Sequence, residues 1–190
     1  MNPTHDRAFK EWAVSCQALV EGRQTLLIRK GGIREEGGVF RINDPEFWLM
    51  PTYEHQNAAL LQSEWRPALD AIQSASRRQE EVTLSAYAVV DTIAVARDDA
   101  QVNALSHEHI WNPTYVQMRF DFNPYDPLYL VLLRVYRLPE PLTIPMLGDY
   151  EGCKSWVTLD RSYATDSATP VLSDVEFAAR RAALLTLLNS

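Results

Sequence analysis

The sequence is poor in cysteine. Its two cysteines, Cys16 and Cys153, lie far apart, and neither belongs to a CxxC pair. A structural zinc site needs clustered Cys and His ligands at short spacing, so the sequence does not support one. We expect both thiols to be buried and reduced, as is usual in the cytoplasm. No metal and no other cofactor is predicted.

Long apolar runs are also absent. No segment approaches the roughly 20 apolar residues that span a bilayer. The N-terminal "MNPTHDRAFKEW" lacks the basic segment followed by an apolar one that marks a secretory signal. We therefore expect a cytoplasmic protein without a membrane partner. A chain of 190 residues is long enough for a substantial core, and we predict one domain over residues 1–190.

Several catalytic signatures are missing. The chain has no Gly-rich loop ending in GK[ST], no GxGxxG and no GxSxG. "DYEGCK" places Lys154 one residue too far from Glu151 for the (D/E)xK pattern of restriction-type nucleases. His107 and His109 in "HEH" have no third ligand at a suggestive spacing, so we interpret them as a solvated helix end.

Positive charge is scarce and unevenly distributed. The net charge is −7, which argues against broad, sequence-blind binding to nucleic acid. Residues 23–41 nevertheless carry a local charge of +3, which leaves −10 on the rest of the chain. Only three of the eighteen basic residues are lysines, a bias that a G- and C-rich genome also produces.

The hydrophobic pattern predicts helices and strands without regular βαβ alternation. Phe9, Trp12, Ala13 and Cys16 recur at helical spacing and predict an N-terminal helix that Asp6 caps. Further helices are predicted from about residue 54, over 68–79, from 98 to 105 and after a capping box in "SDVE". Strands are predicted over 24–30, "GVFRI", "EFWLM", 82–96, 128–138 and 153–159. We expect an α+β fold with a mixed or antiparallel, partly closed sheet, flanked by N-terminal, middle and C-terminal helices.

The stretch "RKGGIREEGG" holds four of the seven glycines. Paired glycines permit positive φ angles and close approach of a ligand's phosphate. We predict a polar hairpin bordering an anion site, in which side chains of Arg29, Lys30 and Arg34 and backbone N–H groups of Gly31 and Gly32 bind phosphate.

A second candidate site is "PTYEHQ". Tyr53, Glu54, His55 and Gln56 bring a phenol, a carboxylate, an imidazole and an amide close together. Glu and His can act as an acid–base pair if both face one cleft. Alternatively, Thr52 caps a helix whose positive end Glu54 complements.

The segment "WNPTYVQMRFDFNPYDP" interleaves Arg119 with aromatic residues. Such a pattern can stack on unpaired bases, although core packing explains the same residues, and we favour core packing.

Three blocks of the sequence resemble a bacterial family of unknown function, domain-of-unknown-function family 1802. They are "FKEWAVSCQALVEGRQTLLIRKGGIREEGGVF", "FWLMPTYEHQ" and "GCKSWVTL". The resemblance implies a link to restriction or phage defence, with a nuclease as a partner, and supplies no catalytic residues. "GRQTLLIR" after Trp12 also resembles the GxKxxExR motif of ASCH domains, which implies a PUA-like barrel that binds RNA, modified bases or nucleosides. Gln24 and Leu27 replace that motif's Lys and Glu.

Three functions stay open on the sequence alone. The first is recognition of nucleic acid or a modified base, with Tyr53, His55 and Gln56 lining a base pocket. The second is a small hydrolase or glycosidic-bond-cleaving enzyme for a nucleotide-like substrate, with catalytic residues drawn from Glu54, His55 and Glu35, and Lys30 or Arg29 stabilising an anion. The third is a defence accessory protein that acts through protein partners.

Overall fold

A computed structural model describes residues 3–30, 44–75, 80–152 and 154–189. Within these ranges one sheet contains strands from both ends of the chain. Its strands are β1 (Thr4–Trp12), β2 (Leu26–Lys30), β3 (Glu46–Thr52), β4 (Glu81–Ala96), β5 (Leu128–Pro145), β6 (Trp156–Ala164) and β7 (Thr169–Pro170). The α-helices are α1 (Ala13–Val20), α2 (Arg66–Ser74), α3 (Asp99–Ala104), α4 (Pro113–Asp121) and α5 (Asp174–Asn189).

The strands follow the order β2-β5-β4-β3-β1-β6, and β7 pairs with β5. Strands β1 and β3 are parallel, and the other pairs are antiparallel. The long strands β4 and β5 pair over almost their whole lengths, with register shifts that mark bulges. The prediction of an α+β fold with a mixed sheet is confirmed.

The sheet curls so that strands far apart in its order approach each other. Arg29 of β2 contacts Phe9 and Glu11 of β1, although three strands separate β2 and β1 in the sheet. One face of β1 to β5 forms a buried cluster that includes Phe9, Leu27 and Phe47. Within the described residues no backbone ladder joins β2 to β1 or β6, so the PUA-like barrel that the ASCH resemblance implied is not closed.

The helices cover the outer face of β2 and the first half of β5. There Leu26, Ile28, Leu128 and Leu130 pack with buried residues of the helices and their connections. A third cluster, which includes Trp48 and Tyr87, covers the far end of the sheet. These layers bury both faces of β2, which explains its continuous apolar sequence "LLI".

The N-terminal helix is shorter than the sequence pattern predicts. Residues 4–12 form a strand, and the helix begins only at Ala13. The apolar residues at helical spacing therefore belong to two elements: Phe9 faces the sheet interior, whereas Cys16 lies on a helix that is buried nearly all round. Periodicity across a strand–helix junction imitates a single helix.

The middle of the chain also differs from the prediction. The helix expected from residue 54 consists only of two short 3-10 turns, Ala58–Leu60 and Ser63–Trp65. The helix predicted over 68–79 is α2, which ends at Ser74, and α4 was not predicted. The predicted strand "GVFRI" lies outside the described residues. Ser173 and Glu176 form the predicted capping box at α5, with Glu176 N donating to Ser173 Oγ at 3.2 Å.

Candidate functional site

Arg29 connects the two ends of the curled sheet. Its guanidinium donates to Ser155 Oγ at 2.8 Å, just before β6, and lies 3.4 Å from Glu11 Oε2. The guanidinium carbon also lies 4.6 Å from the centre of the Phe9 ring. The strand period explains this position, because Leu27 and Arg29 point to the same inner face of β2. The predicted anion-binding Arg29 is thus half-buried and already paired.

Glu11 lies beneath Arg29 and is only 7% exposed. Its Oε1 accepts the backbone N–H of Trp12 at 2.7 Å, and its Oε2 has the long contact with Arg29. An ionised carboxylate has about four acceptor positions, so these two contacts leave acceptor capacity. Cys16 lies next to it, and burial followed by the Glu11 charge raises the pKa of the Cys16 thiol. The predicted burial of Cys16 is confirmed, whereas Cys153 lies outside the described residues.

Helix α4 adds Tyr115 and Arg119 to this site. Asn112 caps the helix by accepting the N–H of Tyr115 at 3.0 Å, and Pro113 occupies its first position. Residues 115 and 119 then share one helix face. Burial and the Glu11 charge raise the pKa of Tyr115 to about 12, while Arg119 and Arg29 lower it. The Tyr115 hydroxyl therefore lies within electrostatic reach of Glu11, Arg119 and Arg29.

Arg119 has donor capacity left over. Its Nη2 donates to the carbonyl of Lys30 at 3.3 Å, and its guanidinium carbon lies 5.6 Å from the centre of the Phe122 ring. Its buried Nε has no hydrogen-bond partner among the described residues. We call Glu11, Arg29, Tyr115, Arg119 and Ser155 the Glu11 cluster. Its two guanidiniums and one carboxylate give it a net charge of +1.

Lys30 is placed differently from its predicted role. It is 2% exposed, and its ammonium donates to the backbone carbonyl of Phe120. Burial lowers the pKa of Lys30, and Arg119 lowers it further, while Asp126 and Asp121 oppose the shift. A buried ammonium that is bonded to a carbonyl is poorly placed to contact a phosphate at the surface.

The "PTYEHQ" segment forms a turn beside the Glu11 cluster. Thr52 does not cap a helix, because it ends β3 and its hydroxyl donates to the carbonyl of Glu11 at 3.1 Å. Gln56 accepts the N–H of Val14 at 3.2 Å and so caps the start of α1. Tyr53, Glu54 and His55 are exposed, and His55 has a left-handed φ of 60°. The ion pairs of the described residues include none between Glu54 and His55, so the predicted acid–base pair is not assembled in this conformation.

The aromatic segment 111–125 divides into a buried and an exposed part. Trp111 is buried and stacks on Tyr115, with ring centres 3.9 Å apart. Phe122 and Tyr125 follow α4 and are 61% and 95% exposed. Core packing, the favoured interpretation, therefore holds for the first part of the segment. The second part offers aromatic faces to solvent next to Arg119.

The remaining predicted site residues, Gly31, Gly32, Arg34 and Glu35, lie outside the described residues. The "HEH" prediction was half wrong: His107 is 62% exposed, but His109 is buried. Burial lowers the pKa of His109. In the described part of the chain no three His, Cys, Asp or Glu side chains gather as metal ligands, and no helix is long and apolar enough to cross a membrane.

A family model named Domain of unknown function (DUF1802) matches residues 8–183. This chain belongs to that family. The match runs from within β1 through most of α5, and it includes every residue of the Glu11 cluster. The DUF1802 chain matches no curated protein in sequence.

Solved structures similar to this DUF1802 protein include ASCH from Zymomonas mobilis. The crystal structure of that protein shares 15% identity, covers 94% of this chain and 94% of its own, and has a TM-score of 0.43. A serine-to-alanine mutant of the same Zymomonas protein shares 14% identity, covers 85% of this chain and 92% of its own, and has a TM-score of 0.44.

Proposed function

We propose that this DUF1802 protein binds single-stranded nucleic acid at the Glu11 cluster and the exposed rings beside it. The observation that carries the proposal is the position of Arg119. Its guanidinium lies 5.6 Å from the Phe122 ring and within electrostatic reach of Tyr115, and its Nη2 makes a long hydrogen bond, of 3.3 Å, to the carbonyl of Lys30. An arginine in this setting can bind a phosphate while neighbouring rings stack on bases.

The exposed aromatic rings support this proposal. Phe122 and Tyr125 expose large apolar faces directly after α4. Stacking of a base on an aromatic ring contributes roughly 1–3 kcal/mol and tolerates any base, because every base has a π face. The exposed Tyr53 follows Thr52, which bonds to Glu11, and so adds a third ring near the cluster.

The charges support a narrow binding site. The cluster carries a net charge of +1 in a chain whose total is −7, so attraction of a polyanion is local rather than spread over the whole surface. Glu11 can accept a hydrogen bond from a base edge, as carboxylates do from cytosine amino groups. Recognition of a modified base, a link to restriction or phage defence, a nuclease partner and a cytoplasmic location stay predictions from the family resemblance and the sequence.

A binding titration tests the proposal. Fluorescence anisotropy with labelled single- and double-stranded DNA and RNA decanucleotides, with and without a modified base, would be measured at two salt concentrations. We expect single strands to bind more tightly, with an affinity that falls steeply with salt. Arg119→Gln should weaken binding and reduce the salt slope by about 0.7. Phe122→Ala combined with Tyr125→Ala should weaken binding at least about 30-fold, because it removes two rings that each contribute roughly 1–3 kcal/mol of stacking.

Arg161→Gln is the matched control. Arg161 lies 5.0 Å from the centre of the Tyr163 ring, much as Arg119 lies over the Phe122 ring. It belongs to β6, but it comes after the residues of that strand that pair with Arg7 to Phe9. The control removes the same charge and should preserve binding. Absence of binding at low salt, or equal losses in the Arg119 and Arg161 variants, would refute the proposal.

A hydrolase is the second candidate function. For this function the buried Glu11 is a better candidate for the catalytic carboxylate than the exposed Glu54. Glu11 lies within electrostatic reach of the Tyr115 hydroxyl and beside Arg29, so a carboxylate, a phenol and a cation come together. A general acid or base requires such a position close to a stabilising donor. Loss of turnover of a nucleotide-like substrate in Glu11→Gln, with binding retained, would support this candidate.

A further inference from the structure

A separate groove lies on the helical side of the molecule, away from the Glu11 cluster. It encloses about 390 Å³, which is within the range of small-molecule sites. Its walls come from the α1–β2 connection, the 3-10 turn before α2, the segment before α4, and α5. Gln62 joins two of these walls, because its amide nitrogen donates to the carbonyls of Ser106, His109 and Trp111 at 2.8, 2.9 and 3.1 Å.

Arg23 is held in position on one side of the groove. Its guanidinium carbon lies 4.4 Å from the centre of the buried Trp65 ring, and its Nη2 lies 2.9 Å from Glu64 Oε1. Stacking and one ion pair fix the plane of the guanidinium, which is still 51% exposed. The guanidinium has further N–H donors besides the one that faces Glu64.

A second guanidinium, that of Arg180, lines the same groove from α5. Its Nη1 lies 3.4 Å from Oε2 of Glu108, which also accepts a hydrogen bond from the Thr25 hydroxyl. Glu108 is only 5% exposed, so its charge is buried behind the groove, whereas Arg180 is 32% exposed. His107 lies on the other side of Glu108, at 3.6 Å from Oε1.

The charges that face solvent in this groove are therefore mainly positive. Two guanidiniums face one exposed carboxylate, that of Glu64, while the carboxylate of Glu108, which pairs with Arg180, is buried behind them. This sign is opposite to the net charge of −7 of the whole chain. Guanidiniums match the oxygen geometry of phosphate. A pair of guanidiniums carries two positive charges, so a phosphate dianion suits the pair better as a ligand than a single carboxylate does.

We propose that the groove between Arg23 and Arg180 binds a phosphate group. This inference is independent of the proposed function, because no residue of the groove belongs to the Glu11 cluster. Either a small phosphorylated molecule or a nucleic-acid backbone can carry this phosphate. Glu64 competes with the phosphate for Arg23 and limits its affinity.

Calorimetric titration of the full chain with inorganic pyrophosphate at low ionic strength tests the site. We expect Arg23→Gln to weaken binding about tenfold, because it removes a charged donor. Glu64→Gln should strengthen binding by up to about fivefold, because it removes the competing ion pair. Arg161→Gln, which removes a positive charge elsewhere, should leave the affinity unchanged.

The test is decisive because Arg23→Gln should weaken pyrophosphate binding whereas Glu64→Gln should strengthen it. A folding defect in the Arg23 variant would weaken binding, but it would not make the exposed Glu64 variant bind more tightly. Absence of binding at millimolar pyrophosphate, or changes in both variants no larger than in Arg161→Gln, would overturn the proposal.

A competition experiment identifies the source of the phosphate. If a single-stranded decanucleotide displaces pyrophosphate and Arg23→Gln weakens both ligands, the groove binds a nucleic-acid backbone. If pyrophosphate binds and the decanucleotide does not displace it, the site serves a small phosphorylated molecule.

Discussion

Gly22 ends helix α1 in a conformation that only glycine adopts without strain. Its φ is +69°. Its N–H donates to the carbonyl of Leu19 at 3.1 Å, and the N–H of Arg23 donates to the carbonyl of Ala18 at 3.0 Å. This is a Schellman motif, and it directs the chain into β2 and so towards Arg29.

The cost of Gly22→Ala follows from the backbone and from its surroundings. A left-handed residue with a Cβ costs about 1–2 kcal/mol. The new Cβ would also lie 2.9 Å from Leu172 Cδ2 and 3.0 Å from Val171 Cγ1, and such overpacking costs about 1–3 kcal/mol. Reduced freedom of the unfolded chain offsets about 0.4–1 kcal/mol. We expect the free energy of unfolding to fall by about 3 kcal/mol and Tm by about 6–12 °C.

Alanine variants of two other glycines distinguish the cost of backbone strain from the cost of overpacking. Gly152 has a φ of +81°, but no atom of the described residues lies within 4 Å of the place that a Cβ would occupy, so its alanine variant should lose about 1 kcal/mol from strain alone. Gly148 has no positive φ, and the part of the chain that the structure describes places no atom close to an added Cβ, so its alanine variant should be neutral or slightly more stable. Urea denaturation followed by circular dichroism measures all three. Equal stabilities of the Gly22 and Gly148 variants would refute the reasoning.

Three further predictions concern stability and reactivity. Ser173→Ala should lower the free energy of unfolding by about 1 kcal/mol at neutral pH in urea denaturation. Hydrogen bonds from Ser173 lower the pKa of Glu176. The loss of unfolding free energy in Ser173→Ala should therefore shrink as the pH falls below the unfolded pKa of Glu176 and acid protonates its carboxylate. A loss that does not depend on pH would contradict the capping box. Burial raises the pKa of Cys16, so peptide mapping by mass spectrometry should find it unalkylated in native protein at pH 8. Arg29→Met should lower the free energy of unfolding by about 1–3 kcal/mol in the same denaturation assay. The decrease should be smaller when Glu11→Gln is also present, and additive effects of the two substitutions would argue against the pairing of Arg29 with Glu11.

Apolar composition and turn residues are sufficient to predict several elements. Strand β2 is predictable because "LLI" is short and continuously apolar, and α5 because Ser173 and Glu176 have capping-box spacing. Strand β5 is predicted to stop before "PEPLTIP", but it continues to Pro145. Its register with β4 shifts between Ala86↔Arg137 and Leu84↔Leu142, so the first two prolines fall in a bulge, where no ladder bond is needed.

The candidate site is harder to predict than the fold. Arg29 was predicted, but Glu11 was missed because the helical interpretation of residues 6–20 puts it on a solvent face. An alternating interpretation of "AFKEW" would have put Phe9 and Glu11 on one buried face, and a buried carboxylate signals a site. Asn112 and Pro113 are typical turn formers, but the Asn-Pro pair is also typical of a helix start. Interpreted as a helix start, the pair predicts a helix that places Tyr115 and Arg119 on one face.

The position of β1 in the sheet has a consequence for synthesis of the protein. Residues 4–12 pair with β3 on one side and with residues 156–164 of β6 on the other. At about 5–20 residues per second, a ribosome needs roughly 7–30 s to make the intervening chain. During that time one edge of β1 lacks its partner while its apolar side chains are already exposed. The nascent chain therefore remains unable to complete its sheet until β6 has been made, and chains released before Trp156 should be substrates for chaperones and proteases.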